Sequence, residues 1–186
     1  MKLASEKIVS TLGKSLFLAS GKVVGLYDQF WQFDDRVYSQ RFVCFPEAVT
    51  FFPIGESVVF WVELSIENSF EVHPDSEFAV MLPFKNSKES IFLGGGDEGE
   101  LTEIANVSVG HYLLIYQERY MKQAEIEQLS FADLPSVETE RGLGSFGPKI
   151  CEITLVQTST TPEAKVLKSV VRSEVSEIFL YSSFPP

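Results

Sequence analysis

Apolar and polar positions alternate in short runs over most of the chain, and the runs are separated by Gly, Pro, Asn and Asp. That texture predicts strands bounded by turns. The cleanest case is residues 57–66: Val58, Phe60, Val62, Leu64 and Ile66 share one parity, while Val59 and Trp61 partly fill the other. Such a strand belongs at the centre of a sheet. Residues 111–116 are apolar on both faces, through Tyr112, Leu114 and Tyr116 on one parity and Leu113 and Ile115 on the other, which predicts an interior strand.

Further strands are expected at 23–33, 78–84, 91–93, 101–109 and 150–156. The stretch 41–52 is broken by Pro46 and ends at Pro53, so it reads as two short strands or one bent edge strand. Aromatic residues on both parities of 23–33 suit a strand covered on both faces or interrupted by a bulge. Helix enters only at the margins. Ser5, the Ile8 and Leu12 spacing and Gly13 predict a short N-terminal helix or an arm over 1–15, and 122–134 loses the two-residue period, as a helical turn would. Residues 162–171 fit either a helix capped at Thr161 or a returning strand, and periodicity does not separate them. Residues 134–148 are rich in Gly and Pro, and 177–181 form a last apolar patch. The expected fold is an all-β antiparallel sandwich with minor helical segments, one domain over 1–186 in which 160–186 forms a C-terminal extension.

Composition agrees with a packed interior: 186 residues, 45% hydrophobic, with 16 Phe, 6 Tyr and 2 Trp. Charge narrows the function. The formal net charge is −11, which repels nucleic acid and anionic membranes and favours partners with a basic surface. Between positions 97 and 140 ten carboxylates face only Arg119 and Lys122, and the bland reading of that excess is a solvated face. No apolar run reaches the ~18 residues of a membrane helix, and Glu6, Lys7 and Lys14 interrupt any signal-peptide core, so a cytoplasmic protein is expected. Cys44 and Cys151 stand far apart in apolar runs. Buried reduced thiols are the expectation, with a single Cys44 to Cys151 disulfide as the alternative.

Chemistry finds little purchase. The two histidines, His73 and His111, lie near no Cys and form no HxxxH pair, so no metal site and no cofactor is expected. A GxSxG elbow is missing, and no catalytic residue is assigned. An enzyme assembled from dispersed groups would draw first on Asp28, Asp34, Asp35 and His111. Gly94, Gly95 and Gly96 lack the Gly-Lys-Ser/Thr ending of a phosphate loop, and the neighbouring Asp97, Glu98 and Glu100 repel phosphate. Those carboxylates suit Ca²⁺ only in a spacing foreign to an EF-hand, which leaves a small-ligand or Ca²⁺-dependent module as the second reading.

The first reading is a protein-binding surface. Carboxylates steer encounter with a basic partner, and aromatic anchors hold the complex; the candidates are Asp97, Glu98, Glu100, Glu103, Glu138 and Glu140, with Phe92, Tyr116, Tyr120 and Phe131 nearby in sequence. Three segments sharpen it: Tyr27-Asp28-Gln29-Phe30, Met81-Leu82-Pro83-Phe84 and Val109-Gly110-His111-Tyr112-Leu113-Leu114. Their order, spanning roughly 20–157, resembles the competence protein J family of DNA-entry nuclease inhibitors. The triglycine loop, the 122–148 segment and the tail past about 160 depart from that pattern. The resemblance implies a β-sandwich that binds and inhibits a nuclease and has no cofactor, and the net charge of −11 adds that it touches no nucleic acid directly.

Overall fold

The computed structural model describes residues 1–9, 15–21, 39–53, 59–95, 101–128, 148–170 and 178–181. Eleven strands are described: β1 (Lys2–Val9), β2 (Leu16–Ser20), β3 (Phe42–Phe45), β4 (Ala48–Phe51), β5 (Val59–Glu67), β6 (Phe78–Asn86), β7 (Ser90–Gly95), β8 (Leu101–Ala105), β9 (Gly110–Tyr120), β10 (Lys149–Thr158) and β11 (Lys165–Ser169). A short helix, α1, spans Gln123–Ile126, and Ser39 and Gln40 are helical as well. The strands form a six-stranded sheet ordered β1-β5-β10-β9-β6-β11 and a five-stranded sheet ordered β3-β4-β2-β7-β8. No described helix is long and apolar enough to cross a membrane.

The alternation expected of 57–66 is realised from Phe60 to Leu64, while residues 57 and 58 lie outside the described residues. Phe60, Val62 and Leu64 of β5 are buried on one face, and the strand lies inside its sheet between β1 and β10. Each such side chain contributes roughly 1.5–3 kcal/mol by leaving water. One hydrophobic cluster takes Leu16, Leu18, Phe42, Val49 and Phe51 from the five-stranded sheet and Phe60, Leu64, Leu82, Tyr112, Tyr116 and Ile153 from the other. The rings of Phe51 and Tyr116 stack across it with centroids 4.0 Å apart. Pro46 separates β3 from β4, as its position in 41–52 predicts. Pro83 sits within β6 without breaking it. Lys85, two residues further on, directs its N–H away from β9, to the Pro46 carbonyl at 2.7 Å; Pro83, on the same parity, therefore lacks a donor only on the side where β11 has already ended at Met81.

Two expectations are corrected. Residues 2–9 form a strand where a helix was expected over 5–13; residues 10–14 lie outside the described residues. Local spacing loses here to tertiary pairing, because β5 offers an edge along which β1 runs antiparallel from Ser65 to Val59. The six-stranded sheet is also mixed: β10 pairs antiparallel with β9 but parallel with β5. Within 162–171 the structure resolves the open alternative as strand β11. The strand expected at 23–33 and the loop at 134–148 lie outside the described residues, except Pro148. Cys44 and Cys151 are both buried and unbridged.

Candidate functional site

Of the six carboxylates selected from sequence, Glu103 is described. It is exposed on β8, opposite Phe92 of β7, at the edge of the five-stranded sheet. Asp97, Glu98, Glu100, Glu138 and Glu140 lie outside the described residues. β8 is short, and a polar network secures the chain as it leaves the strand. The buried Asn86 side chain accepts from Ser20 Oγ at 2.8 Å and donates to the Val107 and Ser108 carbonyls at 3.0 and 3.2 Å. Tyr112 Oη donates to the same Ser108 carbonyl at 2.7 Å. These bonds tie the β8–β9 connection to β2, β6 and β9.

Other carboxylates of the acidic segment serve the interior. Glu118 is 1% exposed and Lys149 is fully buried. Lys149 Nζ donates to Glu118 Oε1 at 3.0 Å and to Glu77 Oε2 at 2.8 Å, and it sits 4.4 Å from the centroid of the Tyr120 ring. Tyr116 Oη donates to the second Glu118 oxygen at 2.6 Å and lies 3.4 Å from Cys151 Sγ. Burial opposes the Lys149 charge, but the two carboxylates outweigh it and hold its pKa above the ordinary lysine value. Tyr116 and Cys151 are pushed well up, chiefly by burial, so both keep their protons.

Glu125, in α1, accepts two bonds from the Arg119 guanidinium at 2.7 and 2.8 Å and a third from the Lys122 N–H at 2.7 Å. The Arg119 hydrogen bonds lower its carboxyl to about 2. Asp75 pairs with Lys122 at 2.7 Å. The sequence count of ten against two thus overstates the charge of any one face, since Glu118 and Glu125 are neutralised internally. Lys149 was missed by sequence reasoning, although its parity with Cys151, Ile153 and Leu155 marks it as core-facing.

An apolar cleft of about 170 Å³ lies between the turn at Pro46, Pro83 of β6, Pro162 and the segment 178–181, with His111 and Lys85 among its lining residues. The cysteine beside it is no nucleophile. Burial pushes the Cys44 thiol up to about 12, so thiolate is scarce at neutral pH. Asp28, Asp34 and Asp35 lie outside the described residues, and no group of three or more metal-ligating side chains occurs among those described. Of the expected anchors, Tyr116 is core, Phe92 and Tyr120 are half-buried, and Phe131 lies outside the described residues.

Comparison with known proteins follows the same outline. A family model described as competence protein J (ComJ) matches residues 24–134, more than half of the chain. Among solved structures the chain is similar to ComJ from Bacillus subtilis, described as an inhibitor of the DNA-degrading activity of NucA. The identity is 11% and the TM-score 0.54, over 84% of this chain and 98% of that one. At that identity the likeness is one of fold. A second similar structure, described as crocagin biosynthetic gene J, has 13% identity and a TM-score of 0.45 over 83% of this chain and 98% of that one. No curated protein matches.

Proposed function

We propose, from the premise that this chain belongs to the competence protein J family, that it is a protein inhibitor of a nuclease and not itself an enzyme. The observation that carries the reading is the family match over 24–134, supported by a fold shared with a Bacillus subtilis inhibitor of a DNA-degrading nuclease. The two sheets form a face-to-face sandwich, a rigid frame for docking, and the protein works in the cytoplasm without a cofactor.

The mechanism we infer is electrostatic occlusion. A nuclease must present Lys or Arg to phosphates, and an acidic protein with net charge −11 competes for that surface. Within the proposed contact, Asp97, Glu98, Glu100, Glu103, Glu138 and Glu140 supply the carboxylates. Glu118 and Glu125 do not belong to it, because Lys149 and Arg119 already hold them. The test is titration of the purified chain into NucA of Bacillus subtilis and into any DNA-degrading nuclease encoded beside the chain's own gene, with DNA cleavage as the readout. Stoichiometric inhibition that weakens with added salt is expected. Unimpaired cleavage at excess protein by every nuclease tested would overturn the reading.

A further inference from the structure

Among the described strands four stand at sheet edges, and three of them are guarded. β1 carries a register shift between Lys2 and Ala4, and Lys2 is exposed beside Glu63. β11 carries a register shift between Val166 and Lys168, along with Lys165 and Lys168. β3 is covered: the Tyr181 N–H bonds the Cys44 carbonyl at 2.9 Å, and the Gln40 side chain holds both the N–H and the carbonyl of Phe179. Bulges, edge lysines and covering segments are the usual means by which proteins stop a sheet from recruiting another strand.

Among the described residues β8 has neither an edge lysine nor a covering segment, and its irregularity, Asn106 at φ 62 with the Val107 N–H on the Glu89 carbonyl, lies past its last residue. Its register with β7 is continuous from Leu101 to Ala105. The stretch 90–109 contains Asp97, Glu98, Glu100 and Glu103 and no Lys, Arg or Pro. Hydrogen-bond parity fixes which groups face outward. Gly21 N–H bonds the Ser90 carbonyl, so Ser90, Phe92 and Gly94 turn their main-chain groups to β2. Ile91 and Leu93 therefore bond β8 through their partners Ile104 and Thr102. The N–H and C=O of Leu101, Glu103 and Ala105 point away from β7, and at the centre of that row stands an exposed carboxylate.

We infer that β8 is a docking strand: an extended, Lys- or Arg-bearing segment of a partner protein adds to its open edge, bonding the Glu103 main chain and setting a cation on the Glu103 carboxylate. The inference rests on the nuclease-inhibitor reading for the partner's identity, though not for the pairing itself. Main-chain bonds supply the geometry of such strand addition, and side-chain charge selects the sequence.

The first arm of the test uses ¹⁵N-labelled protein and the peptide Lys-Lys-Thr-Val-Thr-Val-Lys-Lys. Amide shifts and slowed hydrogen exchange are expected at Leu101, Glu103 and Ala105 and not along β1 or β11. No response in β8, or an equal response in β1 and β11, would overturn the inference. The second arm separates pairing from charge. Glu103→Ala removes the carboxylate and keeps the main-chain donor; Glu103→Pro removes both while sparing the β7–β8 ladder, so its urea midpoint should stay near that of Glu103→Ala. Glu103→Ala should retain slowed exchange at Leu101 and Ala105 at low salt, and Glu103→Pro should lose it. Equal behaviour of the two would reduce β8 to a charge effect and overturn the pairing. Against the nuclease, full inhibition by Glu103→Pro would refute docking at β8 while leaving inhibition standing. Failure of the wild type to inhibit would sink the proposed function, and the peptide arm would still decide the strand.

Discussion

Replacing Lys149 by Met removes the ammonium that the structure places 3.0 Å from the buried Glu118 carboxylate. Lys149 is 0% exposed and Glu118 1%, so water does not replace the lost partner at its site. Breaking a buried pair from one side costs about 3–5 kcal/mol, a large part of the roughly 5–15 kcal/mol that holds a domain together. Glu77 softens the loss little, because it is only half-buried and can turn to solvent. With a urea slope of about 2 kcal/mol per molar, the unfolding midpoint should fall by about 2 M. The companion variant Lys149→Met with Glu118→Gln removes the stranded charge and keeps an acceptor for Tyr116 Oη. It should recover most of the loss and give a coupling of about 2–3 kcal/mol in a double-mutant cycle. A single-variant cost under about 1 kcal/mol, or a double variant as unstable as the sum of its parts, would refute the claim that this cluster is a mutually neutralised core.

Three further perturbations probe other parts of the molecule. Glu125 is held at about 2, below its ordinary 4.5, so its contribution is complete above pH 4.5 and is lost as pH falls through 2; urea midpoints between pH 2 and 6 should show that loss, and Glu125→Gln should flatten it. Gln40→Ala deletes side-chain bonds to Phe42 and to both main-chain groups of Phe179; the Tyr181 amide should exchange faster, with a stability loss of about 1–3 kcal/mol. Asn86→Ala should cost a similar amount, about 1–3 kcal/mol, and speed exchange at Val107, because Asn86 carries the bonds that tie residues 107 and 108 to β2.

Faces were legible in the sequence where neighbours were not. The parity of Phe60, Val62 and Leu64 marks the buried side of β5, and Pro46 marks the corner between β3 and β4. Nothing in that parity says that β5 pairs with a strand almost ninety residues later, in parallel, because periodicity reports burial and not partners. β1 misled for a related reason: Ile8 and Leu12 have helical spacing, and only the vacant edge of β5 makes the segment extended. At the candidate site, Glu103 was recognised as an exposed carboxylate, yet its place on an unguarded edge emerges only from the strand order. Glu118 shows the converse. Counted as surface charge, it shares the parity of Tyr112, Leu114 and Tyr116, and a cation on the matching parity of β10 meets it in the core.

The parallel insertion of β10 has a consequence for how the chain comes to be made. Residues 149–158 join β5 to β9, so the six-stranded sheet is two separate halves until that segment arrives. A polypeptide emerging from the ribosome would hold β1 and β5 apart from β6 and β9 through most of its synthesis, and the long-range closure then required is intrinsically slow. The segment that joins the two halves lies beyond the family-matched stretch 24–134. Nascent chains stalled before residue 149 should accordingly lean on chaperones, which shield the two unfinished borders.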